Sequence, residues 1–138
     1  MFDVLPAINW LSVLAAFVAY FLLGPLWYLL LFPRQYRVSL GRKSDEPQSS
    51  NPLFIVGPAV CALMITLTSA VLFYALNITT YGNAIRFATL IGIGYLVANT
   101  VNIAINPNIP RPFLYGFVSG GYHLTGMLLV NLVLVAMR

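Results

Sequence analysis

Residues 4–33 read VLPAINWLSVLAAFVAYFLLGPLWYLLLFP and contain no charged side chain. A bilayer's hydrocarbon core is about 30 Å thick and a helix rises about 1.5 Å per residue, so roughly 20 mostly apolar residues cross it. This stretch meets that requirement with residues to spare. Helix is expected over 6–32, with Pro6 suited to a first helical turn and Pro33 and the charges after it forming the stop. No basic residue precedes the apolar stretch and no small-residue cleavage site ends it, so a first membrane span is expected here, not a removed signal peptide.

Three further runs of the same kind follow. The charge-free stretch 48–85 is too long for one span and is broken by turn residues at 77–83, which leaves a helix expected over 52–76. A third is expected over 84–106, with Asn83 as its N-cap and Asn106-Pro107-Asn108-Ile109-Pro110 as its stop, and a fourth over 112–137. The fold class is therefore all-α: a single domain over 1–138 built as a bundle of four transmembrane helices. In the first helix, Gly24-Pro25 should bend the axis, and Trp27, Tyr28 and Phe32 form an aromatic belt at the membrane interface.

Between the first two helices, the loop 33–51 is polar and rich in Pro, Gly and Ser, so a flexible segment is expected, with a short interfacial helix over 34–40. It holds Arg34, Arg37, Arg42 and Lys43, four of the chain's seven basic residues, together with Asp45 and Glu46. Basic loops stay on the cytoplasmic side, so this loop and Arg111 should lie inside and both termini outside, leaving only Arg86 and Arg138 as outer basic residues. A plasma (inner) membrane location follows. Arg34, Arg37, Arg42, Lys43 and Arg111 are the expected contacts to lipid headgroups, worth about 1 kcal/mol per basic residue near an anionic surface.

Composition excludes much else. The 138 residues are 60% hydrophobic and 7% charged, with a mean hydropathy of +0.88, whereas soluble domains carry roughly a quarter charged residues. The net charge of +4 is concentrated in one loop and no recognition motif accompanies it, so no nucleic-acid partner is expected. Cys61 is the lone cysteine, which rules out an intramolecular disulfide; it is read as a small buried apolar side chain. HExxH, a Walker loop, GxSxG and paired carboxylates do not occur, and no acid lies within a span. No catalytic residue, metal site or cofactor is expected from these absences.

Two helices carry polar residues that lipid tolerates poorly. In the third, Tyr95, Asn99, Asn102 and Asn106 follow spacings of four, three and four, with Gly92 on the same face. An amide facing hydrocarbon leaves donors and acceptors unpaired at a cost of several kcal/mol, so this stripe should point into the bundle or across an oligomer interface. It would serve as interhelical hydrogen bonding or as the lining of a solute path. In the fourth, Gly116, Ser119, Gly120, His123, Met127 and Asn131 recur at helical spacing, and Gly116 and Gly120 form a GxxxG pair that admits a close backbone. The third and fourth helices are expected to pack on these faces. His123, the only histidine, falls near mid-membrane, either as a neutral imidazole bonded to Asn99, Asn102 or Thr125 or as a functional group.

Asn9, then Gly24-x-x-Trp27-Tyr28 with Leu31-Phe32, then Arg111-Pro112-x-x-x-Tyr115 and Gly121-Tyr122-His123-x-x-x-Met127 together resemble the bacterial membrane family catalogued as domain of unknown function 1761. The resemblance implies a small four-helix membrane protein and supplies no mechanism. In this chain Leu29-Leu30 follow the Trp-Tyr pair where the family pattern has a small residue and proline. The leading functional expectation is a non-enzymatic bundle that assembles with itself or a larger membrane complex through the small-residue face of the fourth helix. The alternatives are a channel or carrier for a small neutral or polar solute lined by Asn99, Asn102, Asn106 and His123, and a membrane enzyme or haem protein using His123.

Overall fold

The first span starts where Asn9 can satisfy the free amides of a helix N-terminus. Its Oδ1 accepts from the backbone N–H of Leu11 (3.1 Å) and Ser12 (3.4 Å), the usual work of an N-cap. In the computed structural model, which describes residues 2–43 and 51–138, helix α1 therefore runs Trp10–Leu31. Pro6 lies in a separate 3-10 turn, Phe2–Ala7, so the helix begins later than the expected residue 6. Helix α2 is short, Pro33–Ser39; α3 is Leu53–Ala75; α4 is Tyr81–Ala104; α5 is Pro112–Ala136. No strand occurs among the described residues. The flexibility expected of the 33–51 loop concerns in part residues 44–50, outside the described residues.

Local chemistry sets the ends. Asn77 adopts a left-handed φ of 50° just past α3, which lets Ile78 N–H reach Phe73 O (3.0 Å) and Asn77 N–H reach Tyr74 O (3.1 Å). That pair of bonds is a Schellman stop, and buried Ile78 folds back toward Phe73. Gly41, at φ 72°, ends α2 in the same way, with Arg42 N–H on Arg37 O at 3.0 Å. The N-cap of α4 is Thr80, whose hydroxyl accepts from Asn83 N–H at 3.3 Å, so Asn83 is the third residue of the helix and not its cap.

Helices α1, α3, α4 and α5 are each long and apolar enough to cross a membrane. Half of the most apolar window of α5 is buried, against 22% in α1 and α3 and 28% in α4, which makes α5 the central helix against which the others pack. The outer faces of α1 and α3 present Leu11, Leu14, Leu22, Phe54, Ile55 and Val60, a surface suited to lipid and not to water. Cys61 lies on that exposed side of α3 and is not buried. The inward face of α3 carries Ala62, Thr66, Ser69, Ala70 and Phe73 at helical spacing, mostly small residues that let neighbouring helices approach.

Two spans contain a π turn: Leu26–Leu31 at the end of α1 and Gly92–Val97 in the middle of α4. The first follows Gly24-Pro25, because proline has no N–H to give and its ring crowds the carbonyl one turn earlier. The chain widens instead, and Phe32 N–H bonds Trp27 O at 2.8 Å. The second has consequences for the polar stripe. Inserting one extra residue into an α-helix rotates everything after it by about 100°.

Candidate functional site

Tyr20, Gly24, Trp27 and Tyr28 lie along the side of α1 that faces α5, and they meet His123, Tyr122, Gly121 and Val118 from the far end of the chain. The Tyr20 hydroxyl and His123 Nδ1 share a hydrogen bond of 2.9 Å. Tyr20 is 1% exposed, and its ring lies 5.3 Å from that of Tyr122. One turn on, the Tyr122 hydroxyl comes within 3.7 Å of where a Cβ on Gly24 would stand. Trp27 Nε1 donates to the Val118 carbonyl at 2.9 Å, and its six-membered ring lies over Gly121, where a side chain would crowd it. Tyr28 packs on Tyr122 (5.2 Å) and Tyr36 (4.7 Å), and Tyr36 on Tyr115 (6.0 Å). Burial raises the Tyr36 hydroxyl above the ordinary phenol range, as does the neighbouring Tyr115, while Arg42 acts against them.

This seam is a ladder of rings between α1 and α5 that ends beside α2. Tyr20 and His123 fall near the middle of their respective spans, so their hydrogen bond forms where water cannot compete. His123 takes Tyr20 as its partner and none of Asn99, Asn102 and Thr125. The aromatics Trp27 and Tyr28, expected as an interfacial belt, are drawn into helix packing. Ser119 lies beside Tyr28, and its buried Oγ completes no hydrogen bond among the described residues. Sequence reasoning missed Tyr20 and Tyr36. The spacing of Tyr20, Gly24 and Tyr28 at intervals of four was the available signal.

The GxxxG face of α5 is filled within the chain. A side chain on Gly116 would press on Val101, and one on Gly120 on Val97, both from α4. These glycines do form a helix–helix interface, but it is internal, so the face expected to drive assembly is already occupied. Met127 and Asn131 are fully buried. Ser69 Oγ donates to Met127 Sδ at 3.5 Å, and Asn131 Nδ2 to the Met127 carbonyl at 2.8 Å.

The stripe on α4 goes the other way. Gly92, the first residue of the π turn, is buried against Leu124. Tyr95 is 71% exposed, and Asn99 and Asn102 are exposed as well. The rotation introduced by the π turn separates Gly92 from residues that an uninterrupted helix would align with it, and it turns Val97 and Val101 toward α5 instead. Asn106 is used locally: its Oδ1 accepts from Asn108 N–H at 2.7 Å and its Nδ2 donates to the Ile103 carbonyl, closing the turn after α4. Asn99 and Asn102 face outward while His123 faces α1, so the residues proposed to line a solute path do not converge.

At the α2 end, Arg34, Arg42, Lys43 and Arg111 are exposed and Arg37 is half-buried. At the opposite end the start of α1 and the turn after α3 are tied to the end of α5. Asn9 Nδ2 donates to Met137 O at 2.7 Å. Arg138 bonds the Ile78 carbonyl and Asn77 Oδ1, and its guanidinium lies 4.8 Å from the centre of the Tyr74 ring.

No curated protein and no solved structure matches the chain. Residues 11–135 match a family described as a protein of unknown function, DUF1761. The motif residues from the two ends of the chain, Gly24, Trp27 and Tyr28 with Tyr115, Gly121, Tyr122 and His123, thus meet along one seam inside the matched region. With nearly all of its length matched, this chain belongs to the DUF1761 family.

Proposed function

We propose that this protein is a non-enzymatic, multi-pass protein of the plasma (inner) membrane that works as a homo-oligomer, with the outward face of α4 as its contact surface. The observation that carries the reading is the exposure of Tyr95 and Asn99 on a membrane-spanning helix, with neither side chain hydrogen-bonded among the described residues. With α4 centred on a core about 30 Å thick, Tyr95 lies about 11 Å and Asn99 about 5 Å below the boundary, while Asn102 lies near it and reaches headgroups. Tyr95 and Asn99 therefore need a partner that lipid cannot provide.

A second copy of the chain supplies one. A side-chain amide is both donor and acceptor, so Asn99 complements itself across a two-fold axis. Gly94 and Ala98 are exposed on the same face, and Gly94 has open space around it, which lets two α4 backbones approach closely. The small residues of α5 would not serve, because α4 already covers them.

The proposed orientation places the basic loop and Arg111 in the cytoplasm and both termini outside, from the distribution of basic residues. Native mass spectrometry of the protein released from lipid nanodiscs tests the assembly. Dimers are expected for the wild type and monomers for Tyr95→Leu/Asn99→Leu. A monomeric wild type, or a dimer indifferent to the double substitution, would remove the reading.

A further inference from the structure

Two arginines far apart in sequence are brought to one groove at the end of the bundle where α1 leaves the membrane and α5 enters it. Arg34 follows the end of α1 at Leu31 by three residues, and Arg111 immediately precedes α5. Both therefore stand at the level of lipid headgroups. The groove between α2 and the start of α5 has a volume of about 470 Å³ and is lined by Arg34, Gln35, Val38, Arg111 and Leu114. Its walls are held together by the backbone: Arg111 N–H bonds Ser39 O at 3.3 Å, and Gly41, left-handed and without a side chain, lets the Pro110 ring close over it. The fold thus fixes two cationic segments side by side. Among the described residues no carboxylate neutralises Arg34 or Arg111, and the one described acid, Asp3, precedes α1 at the other end of the bundle.

We propose that this groove holds the phosphate of an anionic membrane lipid, with Arg34 and Arg111 gripping the phosphate oxygens, Gln35 adding an amide donor, and Val38 and Leu114 lying against the glycerol and upper acyl chain. Guanidinium suits this task because its planar fork presents paired N–H donors to phosphate. The assignment is independent of the α4 contact and of which side of the membrane the groove faces.

The test is retention of lipid by the purified full-length protein in mild detergent, measured by native mass spectrometry with phosphatidylglycerol, phosphatidylcholine and inorganic phosphate as probes. A basic residue near the surface contributes about fivefold in affinity, so Arg34→Gln/Arg111→Gln should weaken phosphatidylglycerol binding about thirtyfold. Arg42→Gln/Lys43→Gln removes the same charge outside the groove and should change it far less. Thermal unfolding of both variants close to wild type shows that the fold is intact. Equal losses from the two double variants would assign binding to diffuse charge and overturn the site, as would unchanged retention in Arg34→Gln/Arg111→Gln. Inorganic phosphate that binds as tightly as phosphatidylglycerol would overturn the lipid assignment in favour of a free anion.

Discussion

Replacing Gly126 with alanine should loosen the α1–α5 seam at its centre. A Cβ at Gly126 would overlap the Tyr20 ring, and that ring has no room to withdraw: it is 1% exposed, packed on Tyr122 at 5.3 Å and bonded to His123. Overpacking of this kind costs about 1–3 kcal/mol. Losing the interhelical hydrogen bond adds about 0.6 kcal/mol, a typical value inside membranes. A total near 2.5 kcal/mol corresponds to a fall of roughly 5–10 °C in the unfolding midpoint for a chain of this size. The assay is thermal unfolding in mild detergent, with Gly57→Ala as the control, since nothing lies within 4 Å of a Cβ there. Tyr20→Ala should then cost less in the Gly126→Ala background than in the wild type, because the steric conflict has gone. If Gly126→Ala unfolds with Gly57→Ala, to within about a degree by the same scaling, the described contact between Tyr20 and α5 is wrong.

Tyr20→Phe keeps the ring and removes the hydroxyl, so it should cost about 0.6 kcal/mol and no more than about 1.7, and a cycle with His123→Leu should show the two residues to be coupled. Gly120→Leu should weaken the bundle by about 1–3 kcal/mol through collision with Val97, measurable as a lower unfolding midpoint in a protein that is still dimeric. The Tyr36 phenol should ionise above the ordinary tyrosine range because it is buried. Arg42→Gln should move it higher still, since the lost cation favoured the ionised form; ultraviolet titration against a Tyr36→Phe difference spectrum reads both.

The spans were legible because the signal is length without charge, which depends on composition and not on packing. Residues such as Pro33, Asn77 and the 106–110 turn mark their ends in sequence as they do in structure. The direction of each face was harder to read. A helical wheel aligns Gly92 with Tyr95 and Asn99, and the π turn at Gly92–Val97 breaks that alignment. Nothing in Gly-Ile-Gly-Tyr-Leu-Val announces an extra residue in the turn. His123 was visible as an unusual group, but its bond to Tyr20 depends on how α1 lies against α5, a tertiary fact. The pairing of Arg34 with Arg111 across one groove is likewise set by the return of α5 to α2, and the loop charge alone suggested only a diffuse basic surface.

Disulfide trapping in native membranes tests the central claim most directly. In a Cys61→Ala background, Ala98→Cys places a thiol on the proposed contact face of α4 without touching Tyr95 or Asn99, while Leu14→Cys and Val60→Cys place it on the exposed apolar faces of α1 and α3. Mild oxidation should link Ala98→Cys into a dimer and leave Leu14→Cys and Val60→Cys monomeric. Ala98→Cys that stays monomeric, or links no more readily than the other two, would contradict an α4 interface.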